Sequence, residues 1–358
     1  MASICDEFPE EELSLAQRCQ LADLHILAGN AADGTKILGR PSNEHALEYR
    51  RAVAAHAEGR VSKAAILFAT LAEEATKGSV DGLPSICVIN RFQGLAALEL
   101  GDRDRAKTFF QSCLNNDTGD YWCSYHLARL WAEEKDWPKA EAFISGALAE
   151  KKDFSTASIA ATVALAQSDV ELAWRRIRLA LTAKPSEAAG HLLAGHIALA
   201  SGRGKLAAAK HFKEAATLAP HWGRPLEELG LLYLDEPQRA EQSFLDALAT
   251  GEELSTRGAY GLGLSLALQK RNEEAISSLM EATVDDSLRP LAAYNLACVL
   301  SRLGAKKEAK EWLSLATEQE ELLQRAAQDE ELSALVSLNG SVVSTAAAEG
   351  TTATTFDW

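Results

Sequence analysis

The sequence predicts an all-α solenoid of about eight helix-turn-helix units, and three observations carry that prediction. Alanines recur at Ala64, Ala106, Ala140, Ala173, Ala208, Ala240, Ala275 and Ala309. Four positions after each stands a large apolar residue: Phe68, Phe110, Ile144, Ile177, Phe212, Phe244, Leu279 and Leu313. Three further on comes Leu71, Cys113, Ala147, Ala180, Ala215, Ala247, Ala282 or Ala316, small in every case but the first. A small-large-small stripe at i, i+4 and i+7 is one face of an α-helix. Its return about every 34 residues means stacked hairpins, each buried against its neighbours, rather than one central core. The second observation is a turn signal ahead of each stripe, such as Glu58-Gly59, Leu100-Gly101-Asp102, Lys135-Asp136 and Gln167-Ser168-Asp169. The third is that Pro185, Pro220 and Pro290 fall between units, where a helix must stop.

In chain order, residues 1–42 read as a leader that caps the first hairpin, because a solenoid end otherwise exposes an apolar face. Leu13, Ala16, Leu21, Leu24 and Leu27 have helical spacing, and Gly29-Asn30 ends that helix. Asp33 to Pro41 is expected to be a loop, since Gly34, Gly39 and Pro41 oppose a further helix. The repeat array runs over 43–317, its later turns marked by Ser201-Gly202, Asp235-Glu236-Pro237, Lys270-Arg271-Asn272 and Leu303-Gly304. Gly78, Gly82 and Pro84 place a loop insertion between units one and two. Residues 318–338 suit a C-terminal capping helix, and 339–358, small and polar, a disordered tail ending in Phe356-Asp357-Trp358.

The bulk numbers are those of a soluble folded protein: 47% hydrophobic and 24% charged over 358 residues. A formal net charge of −15 opposes nonspecific binding to nucleic acid or anionic lipid. Six cysteines without a CxxC suggest a reducing compartment, cytoplasm with the nucleus as alternative, and Cys113 is expected in a buried small slot as a weak hydrophobe. No secretory signal begins the chain, and no apolar run is long enough to span a membrane.

The units resemble tetratricopeptide repeats, whose pattern is Trp-x2-Leu-Gly-x2-Tyr in helix A and Ala-x3-Phe-x2-Ala in helix B, followed by Pro. Helix B is matched in all eight units, and the terminal proline at Pro185 and Pro220. Helix A is matched best by Leu229-Gly230 with Tyr233, then by Leu127-Ala128 with Trp131, Ala194-Gly195, Leu262-Gly263 and Leu296-Ala297. The first unit departs from the pattern, with Arg51 at the leucine position. Covering about three quarters of the chain, the resemblance implies a right-handed superhelix whose A helices line a concave groove. It also implies protein–protein interaction without chemistry.

One branch of that family holds the C-terminal carboxylates of Hsp70 and Hsp90 with Lys, Asn and Arg on successive A helices. The corresponding slots of units one to three hold Tyr49, Val53, Phe92, Trp122 and His126, and those of units six to eight Glu227, Leu231, Gly261, Leu291 and Asn295. Neither set has the cations, so a co-chaperone is disfavoured. The inward slots of units one to three instead hold Tyr49, Arg50, Arg91, Phe92, Trp122, Tyr125, His126 and Arg129. Aromatic faces mixed with guanidinium groups suit a peptide carrying aromatic and acidic side chains; the alternative is packing of these residues between A helices or against the leader. The Phe356-Asp357-Trp358 tail resembles the aromatic-acidic cargo motifs that some such grooves read, kinesin light chain among them. It would serve as an internal ligand, as a tag for another protein, or as neither.

Enzyme motifs are missing. His191, His196, His211 and His221 lack an HExxH spacing, Ser201-Gly202-Arg203-Gly204-Lys205 lacks the phosphate-loop spacing, and Gly258, Gly261 and Gly263 follow no strand. No metal or cofactor is expected. The reading is a non-enzymatic adaptor binding a protein or peptide, or else a constitutive subunit of a large assembly, with self-association through its terminal units left open.

Overall fold

The computed structural model describes residues 13–40, 44–78, 80–316 and 319–336; these contain α-helices and no strand. They fall into two compact units, residues 1–211 and 212–358. The first opens with α1 (Leu15–Leu27) and α2 (Ala31–Leu38). Hairpins follow: α3 (His45–Ala57) with α4 (Val61–Thr76), α5 (Ile86–Glu99) with α6 (Arg103–Asn116), α7 (Tyr121–Glu133) with α8 (Trp137–Glu150), and α9 (Phe154–Ala166) with α10 (Val170–Ala183). Then come α11 (Ala188–Ala200) and α12 (Lys205–Leu218), within which the units divide. The second unit continues with α13 (Arg224–Leu232) and α14 (Pro237–Leu248), α15 (Thr256–Leu268) and α16 (Asn272–Ala282), α17 (Arg289–Arg302) and α18 (Lys306–Ala316), and α19 (Glu320–Gln328).

The stripe seen in the sequence is the core. All its positions on the eight B helices are buried, none more than 4% exposed. In three hairpins the large residue of the stripe meets a glycine of its own A helix, Gly263 facing Leu279 in one of them. A methyl on Gly94 would sit 2.7 Å from Cδ1 of Phe110, and one on Gly230 2.7 Å from Cζ of Phe244. Glycine there lets the two helices of a hairpin close on a full-sized ring.

Seven of the eight turns between A and B helices use a left-handed residue, the α13–α14 turn being the exception. Gly59, Gly101, Gly202 and Gly304 supply it at φ between 65° and 81°, while Lys135, Ser168 and Lys270 adopt φ of 60° to 63° at the equivalent place. Capping aspartates follow the turn in three hairpins: Asp102, Asp136 and Asp169 accept from the backbone N–H of Arg105, Lys139 and Leu172.

The loop expected over Asp33–Pro41 is corrected: α2 occupies most of it, Pro41 lying outside the described residues. Gly34 is not a breaker but a contact point, where a Cβ would lie 3.1 Å from Cγ1 of Ile26 on α1. The helix stops at Gly39 (φ 67°), and two arginines satisfy its last carbonyls. Arg18 Nε donates to Ile37 O at 3.2 Å. Arg51 donates to Leu38 O at 3.2 Å, Gly39 O at 2.5 Å and Arg40 O at 2.7 Å. Arg51, only 5% exposed, therefore stands at the leucine position because it clasps α2.

At the other end, the helical pattern of 318–338 forms α19 over Glu320–Gln328, and the chain then turns. Leu332, fully buried, still packs with Leu322 and Ala326 on α17 and α18. Arg302 Nη1 reaches the carbonyl of Ala267 at 3.1 Å and its Nε the carboxylate of Glu331 at 2.6 Å.

The small slot at Cys113 is buried, but its sulfur is not a free thiol: it is joined to Cys87, linking α5 and α6. Cys19, Cys123 and Cys298 are free and buried. Cys5 and the tail Phe356-Asp357-Trp358 lie outside the described residues.

Candidate protein-binding surface

All eight groove residues expected from the sequence lie on α3, α5 and α7 of the first unit. The structure gathers them into two aromatic clusters joined by an ion pair.

The first cluster is built on Phe68, the core residue of α4. Phe92 stacks on it at 5.1 Å between ring centroids, and Tyr49 meets both rings edge-on at 6.4 and 6.1 Å. His56 adds an edge contact to Phe92 at 6.2 Å. Burial raises the Tyr49 hydroxyl above its ordinary range, against the pull of Arg91 and Arg50. Phe92 and Tyr49 thus pack between helices as well as facing the surface.

The second cluster lies on α7. Trp122 is 47% exposed, with Tyr121 edge-on at 5.1 Å and His126 stacked at 6.4 Å. Tyr125 touches Tyr121 and His126 at 6.0 and 5.2 Å, and His126 stacks on Phe110 at 5.1 Å. Burial, then the neighbouring Arg129, brings the His126 imidazole down to about 4, so it is neutral at physiological pH. Tyr121, absent from the sequence expectation, anchors this cluster: its hydroxyl donates to Asp153 Oδ2 at 3.1 Å. Lys151 Nζ lies 5.0 Å from the Tyr121 ring and 5.4 Å from Trp122. Burial acts to raise the Asp153 carboxyl, but hydrogen bonds from Thr156, Lys151 and Tyr121 outweigh it and hold it at about 2.

The cations differ from the expectation in one respect: each has an internal carboxylate. Arg50 pairs with Asp23 of α1 at 2.9 Å, which assigns it to holding the N-terminal hairpin rather than to a free groove. Arg91 pairs with Asp120 at 3.1 Å and lies 5.9 Å from the Phe92 ring. Arg129 reaches Glu133 only at 3.8 Å and keeps a buried Nε with no hydrogen bond among the described residues. Arg129 and Trp122 are therefore the most available of the eight. Partner carboxylates on adjacent hairpins, Asp23 and Asp120, carry no periodic signal, and sequence spacing alone did not reveal them.

In the fifth repeat His191 Nε2 bonds the carbonyl of Pro185 at 2.9 Å and its Nδ1 lies 3.4 Å from His211. Among the described residues, no helix is long and apolar enough to cross a membrane.

Sequence models described as tetratricopeptide repeat match residues 97–164, 229–290 and 291–321. No curated protein matches the sequence. Among solved structures, PilW, titled a widely conserved type IV pilus biogenesis factor, aligns with a TM-score of 0.50 at 13% identity, over 57% of this chain and 96% of its own. PilF of Pseudomonas aeruginosa aligns at 0.48 and 18% identity, over 59% and 92%. The C-terminal part of a repeat-containing protein from Cytophaga hutchinsonii aligns at 0.47 and 16%, over 73% and 98%. At these identities the likeness concerns the fold.

Proposed function

Because the chain belongs to the tetratricopeptide repeat family, whose hairpins are protein-interaction scaffolds, we propose that it is a non-enzymatic adaptor that captures a partner polypeptide on its α3–α5–α7 face. One observation carries this reading: Trp122, a large aromatic side chain left half in solvent, packs against Tyr121 and His126, and His126 in turn against Tyr125 and near Arg129. A preorganised ring next to a weakly paired guanidinium is the composition of an interface anchor.

The partner segment carries aromatic and acidic side chains. Arg129 holds Glu133 only at 3.8 Å, and Arg91 and Lys151 would exchange Asp120 and Asp153 for carboxylates of the ligand. The setting is cytoplasmic or nuclear. Free Cys19, Cys123 and Cys298 support it, and the Cys87–Cys113 link is the one feature against it.

Affinity purification with the intact chain and with Trp122→Ala/Arg129→Glu tests the reading. Proteins retained by the first and lost by the second, at equal melting temperature, are the expected result. An identical set of retained proteins rejects it. Charge reversal at Arg91 is the poorer probe, since a carboxylate there would face Asp120.

A second reading, a constitutive subunit of a larger assembly, is favoured by α1, where Leu24 and Leu27 are exposed, the latter 84%. A chain that aggregates alone and is rescued by co-expression would support it.

A further inference from the structure

Between α4 and α6, over α5, runs a cleft of about 670 Å³, within the size range of ligand cavities. Its α4 wall is alanine-rich (Ala69, Ala72 and Ala75), and α6 contributes Thr108 and Ser112. From α5, Asn90 and Gln93 line it, each only 8% exposed. Among the described residues, neither side-chain amide makes a hydrogen bond to the protein.

Of the other buried polar side chains of this unit, Ser124 shares that state and three do not. Arg51 bonds three carbonyls, Thr156 bonds Asp153 and Tyr121, and Arg176 forms a two-pronged pair with Glu141 and reaches the carbonyl of Ala160. Both amides open onto the cleft, which leaves their donors and acceptors for a ligand to bond. Each of these two offers two N–H donors and one carbonyl acceptor. An extended main chain presents the complement, a carbonyl and an N–H from successive residues. The alanine wall lets a backbone come close. Glu73 is the one ionisable residue lining the cleft, so nothing there neutralises an anionic ligand.

We infer that this cleft binds an extended, uncharged stretch of a partner polypeptide, its main-chain amides bonded to Asn90 and Gln93. The site involves none of the eight groove residues on α3, α5 and α7. Its occupant differs in kind, read by backbone rather than by ring and charge.

A displayed library of random short linear peptides, selected on the full chain and counter-selected on Asn90→Leu/Gln93→Met, tests this. The expected peptides bind the double variant at least roughly ten-fold more weakly. They also bind weakly to Ala72→Leu, which narrows the cleft from the opposite wall, but normally to Trp122→Ala. Main-chain N-methylation of such peptides abolishes binding. The double variant melts at or near the temperature of the intact chain, because neither amide bonds the protein. Recovery only of peptides sensitive to Trp122→Ala would overturn the cleft while leaving the α7 surface standing. A melting temperature several degrees lower in the double variant would overturn it too, by showing the amides to be structural.

Discussion

Arg91 Nη1 donates to Asp120 Oδ2 across 3.1 Å, so the guanidinium of one A helix is fixed by the residue that begins the next. The other oxygen of the same carboxylate accepts from the N–H of Cys123 at 2.8 Å and caps α7. Asp120→Ala removes both roles and should cost about 2 kcal/mol, read as a lower melting temperature. Asp120→Asn keeps a capping oxygen and should lie between the two. If the alanine variant melts with the wild type, Asp120 does not couple α5 to α7.

Gly94→Ala should destabilise the first unit by about 1–3 kcal/mol, because its methyl meets the Phe110 ring at 2.7 Å. Gly146→Ala is the matched control: it lies within α8, with nothing near its Cβ position. There the same change should stabilise by about 0.5–1 kcal/mol through helix propensity. Urea unfolding of the two variants, compared side by side, shows whether the signs differ.

Lys135, Ser168 and Lys270 adopt the left-handed conformation that glycine supplies in the sister turns. Replacing any one by glycine should relieve about 1 kcal/mol of backbone strain, offset in part by chain entropy. The net effect is a small rise in melting temperature. Gly101→Ala, at φ 80°, should lower it. A drop for all three glycine variants would mean that their side chains contribute more than the strain costs.

His126 should titrate near pH 4, observable as the shift of its Cε1 proton by NMR. Because its folded value lies below the ordinary imidazole value of 6.5, the unfolded chain binds more protons between the two. The stability His126 contributes is complete above about pH 6.5 and is lost as pH falls toward about 4. His126→Gln should flatten that portion of the stability profile, by an amount on the order of 2 kcal/mol after allowance for its partial exposure. A titration midpoint at an ordinary imidazole value would show the ring to be solvated rather than held on Phe110.

The B helices were legible because one constraint, a small-large-small face, is written eight times, and burial at all those positions is its physical meaning. What stayed hidden was everything fixed between hairpins. Gly34 read as a helix breaker because the sequence does not show α1 lying against it. Arg51 read as a defect in the first repeat because its acceptors are main-chain carbonyls at and just beyond the end of α2, which have no residue signature. The aromatic slots were assigned to α3, α5 and α7 from the repeat register, but their carboxylate partners were not. Asn90 and Gln93 looked like ordinary helix residues, and only their burial without partners distinguishes them.

The reach of Arg51 to the last carbonyls of α2 has a practical sequel. A truncated protein starting at residue 44 would retain every repeat that motif counting recognises, yet leave the Arg51 guanidinium with Glu48 while its three carbonyl acceptors are amputated. Anyone trimming this molecule should treat residues 13–40 as a keystone and not as packaging.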